Sequence, residues 1–279
     1  MENQNKHTLN RRWFLKNASM ASLFMMTGNI RSVSSSELFA NKNNVVLRFA
    51  VASDSHFGQP NTLYKEMTQN VLNQINTFHS EFPLDFCVLN GDLIHNDKIF
   101  MPQIKNEFDL LHMPYYVSRG NHDMVSSAYW ESIWEAPLNY DVVFNDQVIL
   151  IGDTSDEKGT YRPVDMNWLA AKLEQYKDMK NIFLFLHIPQ VLWSKECVDT
   201  PGFQDLIQSH KNVKALFHGH EHNKDGAMMI GGVPCLYDSH IGGNWGLPYK
   251  GFRVVEIRKD NTMATYMMNP SSPMNTLNY

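Results

Sequence analysis

Long apolar runs are missing from this sequence, and so are blocks of like charge. No stretch of the 279 residues is long and apolar enough to cross a bilayer, so no stable membrane span is expected. Lys and Arg number 24 against 29 Asp and Glu, a formal net charge of −5, with no basic run able to neutralise several phosphates along a duplex. Nucleic acid is therefore not expected as a partner. Cysteine is scarce: Cys87, Cys197 and Cys235 stand far apart with no CxxC pair, which excludes a zinc ribbon or a disulfide framework as the organising device. Cys87, inside FCVL, reads as a small buried hydrophobe. Repeats and low-complexity tracts are also lacking. What remains, 43% hydrophobic and 19% charged, is the composition of an ordinary globular chain long enough for one large domain.

The N-terminal segment reads as an address. Arg11 and Arg12 precede Trp13, Phe14, Leu15 and Lys16, and a run of small and apolar residues follows, too short to span a membrane. This resembles a twin-arginine export signal, with Asn10 where Ser or Thr usually stands. The resemblance implies export machinery as a partner of the leader and a periplasmic or extracytoplasmic location. The competing reading is a basic amphipathic surface helix. Residues 1–43 are read as export signal and polar linker, with Ala40 closing a small-residue cleavage site; 44–270 as the folded domain; and 271–279 as a tail.

From Asn44 onward, apolar runs alternate with helix-like segments. VVLRFAVAS (45–53), LDFCVLN (84–90) and YYVS read as strands, with helical periodicity at 63–79 and through IKNEFDLLH, a βαβ rhythm that calls for a largely parallel sheet. The middle differs: Asn145 and Asp146 separate two strand-like runs in a hairpin pattern, and Asp165 reads as the N-cap of MNWLAAKLEQYK. NIFLFL, VKALF, VPCLYDS and FRVVEI complete the strands, the last pairing with TMATYMM. Hairpins around an α/β centre imply two packed mixed sheets flanked by helices, an α/β/β/α sandwich.

The polar clusters fall where the strands stop. VVLRFAVAS ends in Asp54-Ser55-His56, LDFCVLN in Gly91-Asp92, YYVSR in Gly120-Asn121-His122-Asp123, NIFLFL in His187, and VKALF in His218-Gly219-His220-Glu221-His222. In open α/β sheets, sites lie beyond the carboxyl ends of the strands, so five such loops can converge. Alternate spacing in an extended segment would turn Asp54 and His56, or His218, His220 and His222, to one side. The plausible donors are Asp54, His56, Asp92, Asn121, His187, His220 and His222. A structural zinc takes four ligands, whereas these mixed oxygen and nitrogen donors fit two ions sharing one carboxylate, with Asp92 as the natural bridge.

The sequence DSH, GD, GNHD, a lone His, then GHEH resembles the calcineurin-like metallophosphoesterase superfamily, whose pattern is DxH, GD, GNH[DE], H and GHxH. The match runs from Asp54 to His222. The resemblance implies a double-sheet sandwich flanked by helices. It assigns one metal to Asp54, His56, Asp92 and His222, and the other to Asp92, Asn121, His187 and His220. His122 then corresponds to the family's general acid or transition-state stabiliser, and Asp123 to the partner that orients it, the alternative for Asp123 being a loop-capping carboxylate.

The chemistry suits those residues. Two divalent ions against two aspartates and a bridging hydroxide leave a site of about +1 charge, which attracts a phosphoryl anion; metal binding lowers the pKa of water from 15.7 to about 7, so hydroxide can attack phosphorus while His122 protonates the leaving oxygen. Manganese, iron or zinc suits the donors. His95 is a candidate substrate contact or a surface residue; His218 is a packing residue; Arg119 a phosphate contact or an ion-pair partner. His240 and Trp245, on the glycine-rich loop DSHIGGNWG, and Trp193 are candidate pocket walls. GDLIHND departs from the GDxVDRG of protein Ser/Thr phosphatases, and His95 stands where purple acid phosphatases place a tyrosine ligand. What is left resembles the bacterial phosphodiesterase branch, and implies a small phosphodiester or phosphomonoester as substrate. A non-catalytic scaffold and an exonuclease are the alternatives.

Overall fold

The architecture hangs on a strand, Val45–Ala52, whose last six residues are all buried. Its side chains alternate between two cores, as the two-residue period of a strand requires. Phe49 and Val51 join the apolar layer between two sheets, while Ala50 and Ala52 face a layer of helices. The computed structural model describes residues 21–24 and 30–268.

Among the described residues the first sheet has seven strands and the second six. In chain order the seven are β1 (Ala21–Phe24), β2 (Ile30–Val33), β3 (Val45–Ala52), β4 (Phe86–Asn90), β5 (Tyr115–Ser118), β12 (Phe252–Arg258) and β13 (Met263–Met268), with spatial order β2-β1-β13-β12-β3-β4-β5. Strands β3, β4 and β5 run parallel, and the remaining pairs are antiparallel. The second sheet is built from β6 (Tyr140–Phe144), β7 (Gln147–Gly152), β8 (Asn181–Leu186), β9 (Val213–His218), β10 (Ala227–Ile230) and β11 (Val233–Tyr237), ordered β10-β11-β9-β8-β7-β6. Its four central strands, β11, β9, β8 and β7, run parallel, and β10 and β6 pair antiparallel at the two ends.

Helices cover both outer faces. α1 (Ser35–Ala40), α2 (Tyr64–Glu81), α3 (Met101–Phe108) and α4 (Ser127–Trp134) accompany the first sheet. Val71, Leu72, Ile75 and Phe78 recur every three or four residues along α2, so one stripe meets the sheet. α5 (Met166–Gln175) and α6 (Phe203–Ser209) bury Leu169, Leu173, Phe203 and Ile207 against the outer face of the second. The result is the expected four-layer α/β/β/α sandwich of two mixed sheets.

Local signals held where they rested on mechanism. Asp165 caps α5, accepting from the amides of Asn167 and Trp168. Asn145, at φ +56°, turns the β6–β7 hairpin, and β12 pairs with β13 in register. Elements with few core contacts were missed. α4 buries only Trp130 and is set by its ends, Ser126 capping the first turn and Glu135 closing it with a left-handed backbone. α6 and β10 are short as well.

Part of the segment read as leader and linker packs on the first sheet. β1 pairs with β13 and β2 with β1, while Val33 and Leu38 are buried in the core, so the sheet continues N-terminal to residue 44. The physical reason is that β13 without β1 would present an open edge, and β1 pairs that edge through backbone hydrogen bonds. The Arg11-Arg12 pair and the 271–279 tail lie outside the described residues. Among the described residues, no helix is long and apolar enough to cross a membrane.

Phe49 tests the join between the sheets. Its ring stacks on Phe86 at 4.8 Å and meets Phe183 and Phe217 edge-on at 5.2 and 5.7 Å across the interface. Phe49→Ala is expected to cost about 3–5 kcal/mol in urea unfolding; a loss under about 1 kcal/mol would show that the interface repacks around the cavity.

Candidate metal centre

Beyond β3 and β4 the two loops continue side by side. The amides of Asp54, His56 and Phe57 donate to the carbonyls of Gly91, Asp92 and Leu93, at 3.0 to 3.1 Å. The pairing is not strand-like, because Asp54, His56 and Asp92 all have positive φ, at +57°, +42° and +51°. That region is costly for a residue with a Cβ and is held only where the surroundings fix it. The next loop closes in from β5: a Cβ on Gly120 would lie 2.2 Å from both the amide nitrogen and Oδ1 of Asp92, so only glycine permits this approach. The His122 amide donates to the same Oδ1 at 2.7 Å.

The second sheet supplies the other wall. His187, just past β8, donates from Nδ1 to the Asn90 carbonyl at 2.7 Å, which leaves Nε2 facing Asp92 Oδ2 at 3.3 Å. Past β9, the His220 amide donates to both oxygens of Asp54. His222 Nε2 lies 3.1 Å from Asp54 Oδ1 and 3.0 Å from His56 Nε2. Three groups able to hold a metal ion result: Asp54 with His56 and His222, Asp92 with His187 and His220, and, without a carboxylate, His56 with His95 and His122. Asn121 lines the same cavity as Asp92 and His220. Three buried atoms, Asn121 Oδ1, His187 Nε2 and His220 Nε2, have no hydrogen-bond partner among the described residues. Buried polar atoms are normally paired, and these three are donor types that a divalent cation would satisfy.

Burial works against charge on both acids, but His222 and His187 bring Asp54 down to about 2, and His187 leads in holding Asp92 well below the usual carboxylate range. Burial likewise opposes a proton on His187, which Asp92 and Asp54 outweigh, pushing it up to about 10, so a cation at Nε2 would have to displace a proton shared with Asp92. His56 and His220 are lowered by burial and stay neutral, the form in which imidazole binds a metal.

The structure revises several readings. His218, His220 and His222 do not share one side of a strand. β9 ends at His218, and His220 takes φ +66°, which sends His220 and His222 into different groups. His218 is buried with Nδ1 on the Leu186 carbonyl. Asp123 does not orient His122: its carboxylate accepts from the amides of Ile94 and Gly120 at 2.9 and 2.8 Å, the loop-capping alternative. Asn96 does, with Oδ1 2.7 Å from His122 Nδ1. His95 does not line the cavity; its Nδ1 is 3.1 Å from His56 Nδ1, and its ring stacks on His122. Arg119 is the ion-pair partner of Asp153, at 2.6 Å.

The cavity above the two groups measures about 520 Å³, and Tyr161, Ser194, Lys195, Glu196, Trp245 and His122 are among its walls. Trp245 is one of the aromatics expected there. Trp193 instead packs against the core under the second sheet. Asn96 and Tyr161 were not found by sequence reasoning: each is a lone polar or aromatic residue in a loop, with no periodicity to mark it.

Fold and site define a class, an α/β sandwich of two mixed sheets whose strand ends gather two His and Asp groups able to hold metal ions. The sequence model of the calcineurin-like phosphoesterase family matches residues 47–224, and the chain belongs to that family. It is 31% identical over 159 residues to a probable glycerophosphodiester phosphodiesterase, GpdQ, of Arcobacter nitrofigilis; the match spans 50% of this chain and 56% of that one, about half of each. A dimetal phosphatase from Danio rerio has a TM-score of 0.65 at 14% identity, covering 80% of this chain and 96% of its own. GAP50, the anchor in the inner membrane complex of Plasmodium, has 0.60 at 14%, covering 83% and 88%. Both show the fold.

A ligand that binds only the folded state stabilises it, by about 2.7 kcal/mol at a hundredfold excess over Kd. Titrating metal-stripped protein with Mn²⁺ or Zn²⁺ is expected to raise its unfolding free energy by that order, and Asp92→Asn should remove most of the gain. A wild-type melting curve indifferent to millimolar metal would count against the donor groups.

Proposed function

We propose that the chain is a metal-dependent hydrolase of small phosphodiesters acting outside the cytoplasm. The observation that carries this is the set of three partnerless donor atoms around Asp92 in a family of phosphoesterases. Asp54, His56, Asp92 and His222 would hold one divalent ion, and Asp92, Asn121, His187 and His220 the second. Bound there, the ions supply positive charge for an anionic phosphoryl group and make hydroxide available from water near neutral pH.

The chain's own residues do the rest. His122 lines the cavity, and Asn96 Oδ1 accepts from its Nδ1–H, so the imidazolium form would give its Nε2 proton to the leaving oxygen and be left as the neutral Nδ1–H ring. Trp245 and Tyr161 bound the space for the alcohol. Lys195 is the one lysine or arginine lining it among the described residues, and it lies 3.5 Å from Glu196. Such a wall suits an uncharged alcohol better than a second phosphate. The name of the Arcobacter relative, a glycerophosphodiester phosphodiesterase, supports a diester.

Export rests on Arg11 to Lys16. Cleavage at Ala40 would remove β1 and β2 from the sheet. Replacing Arg11 and Arg12 with Lys is expected to leave the chain in the cytoplasmic fraction, and unchanged secretion would refute the twin-arginine reading.

Metal-stripped protein reconstituted with Mn²⁺, Fe²⁺, Zn²⁺ or Mg²⁺ and assayed on bis-p-nitrophenyl and p-nitrophenyl phosphate tests the activity; the diester is expected to be preferred. His122→Ala should lower kcat by about 10²- to 10⁴-fold with metal content unchanged, and Asn96→Ala should give a smaller loss in the same parameter. No turnover of either ester by protein carrying its metals would favour a binding scaffold.

A further inference from the structure

The histidines of the centre are oriented by different means. A metal-binding histidine ordinarily donates its other ring N–H to an acceptor, which fixes the plane of the ring. His187 has the Asn90 carbonyl and His56 has His95. His222 has no such acceptor: its Nδ1 is buried and without a hydrogen-bond partner among the described residues. Something else must hold this ring in the plane that aims Nε2 at Asp54.

The loop between β11 and β12 supplies it. The amides of Ile241, Gly242 and Leu247 donate to the carbonyls of Ser53, Asp54 and His222 at 2.8, 2.9 and 2.8 Å, so the loop is strapped across the residues that carry one donor group. His240, fully buried, ties the strap to itself, with Nδ1 2.7 Å from the Gly242 carbonyl and Nε2 3.0 Å from that of Leu247. Gln59 anchors its tip through Asn244 at 3.1 Å. The chain passes so near that a Cβ on Gly246, at φ +93°, would lie 2.3 Å from the Cβ of His222. This closeness brings the Trp245 indole parallel to the His222 imidazole, centroids 4.5 Å apart and planes 9° apart, with His56 tilted against the same indole at 4.7 Å.

We propose that Trp245 is a positioning residue for metal binding: its indole, stacked on His222, takes the place of the missing hydrogen bond and holds that ring ready for a divalent cation. The inference rests on the metal reading above. It implies that the two donor groups depend on different supports. The Asp54, His56 and His222 group leans on the strap, whereas the Asp92, His187 and His220 group leans on the Asn90 carbonyl.

The test is Co²⁺ binding to the full metal-stripped chain, followed by calorimetry and by the visible absorption of the ion. Trp245→Ala is expected to weaken one binding step by about 10- to 100-fold, the usual effect of removing a ligand's support, and to leave the other unchanged. Trp245→Phe, which keeps a flat ring, should restore most of the affinity; Trp245→Leu, which fills space without one, should not. In a His220→Ala background the remaining step reports the His222 group directly and should show the same loss. Trp245 is 42% exposed, so truncation leaves the core intact, and circular dichroism checks that each variant is folded. Unchanged cobalt affinity in folded Trp245→Ala, equal weakening of both steps, or full rescue by Leu would each overturn the inference alone. A wild-type chain that binds no Co²⁺ would overturn the metal reading and this inference together.

Discussion

Asn90 is the point on which the two halves of the site depend. It ends β4, fully buried, and its side-chain amide donates across to the Phe217 carbonyl of β9 at 3.2 Å and to Asp238 at 3.3 Å. Its Oδ1 accepts from Ser118 of β5, and its carbonyl from His187. The layer between the sheets is apolar, and apolar attraction is non-directional, so it presses the sheets together without fixing how far one slides along the other. Buried hydrogen bonds do fix it, since breaking one strands polar groups in a low dielectric. The strand ends of both sheets therefore stop at one level.

Bringing them together has a physical cost. Asp54 and Asp92 are buried carboxylates, and Asp54, His56, Asp92 and His220 sit at positive φ. Each would destabilise an isolated segment. They persist because every loop is tied to another: the loop after β3 to that after β4, the Asp92 carboxylate to the His122 amide, the Asp54 carboxylate to the His220 amide. The strap from Ser239 to Leu247 closes the ring of supports. Strain and burial of this kind belong to a site organised before its ligand arrives.

Much of the fold was legible because it follows from local periodicity. Strands such as NIFLFL, buried on both faces, and the striped helix α2 announce themselves, as do the Asp165 cap and the Asn145 turn. The same reading missed α4, α6 and β10, which have few core residues, and did not mark β1 and β2, which are strands defined by their neighbours. The candidate donors were legible for another reason. Each follows an apolar strand, so residue type and position coincide in the chain.

What the sequence determined alone is the roster: five strand-end loops carrying Asp, Asn and His, the order in which they occur, and the glycines beside them. What only the tertiary structure decided is the partnering. Adjacent histidines in GHEH go to different groups because His220 is left-handed, Asp123 is spent on backbone amides while Asn96 takes His122, and Trp245 reaches His222 across 23 residues of chain. Those outcomes depend on backbone geometry and on contacts between distant segments, which a one-dimensional pattern does not encode.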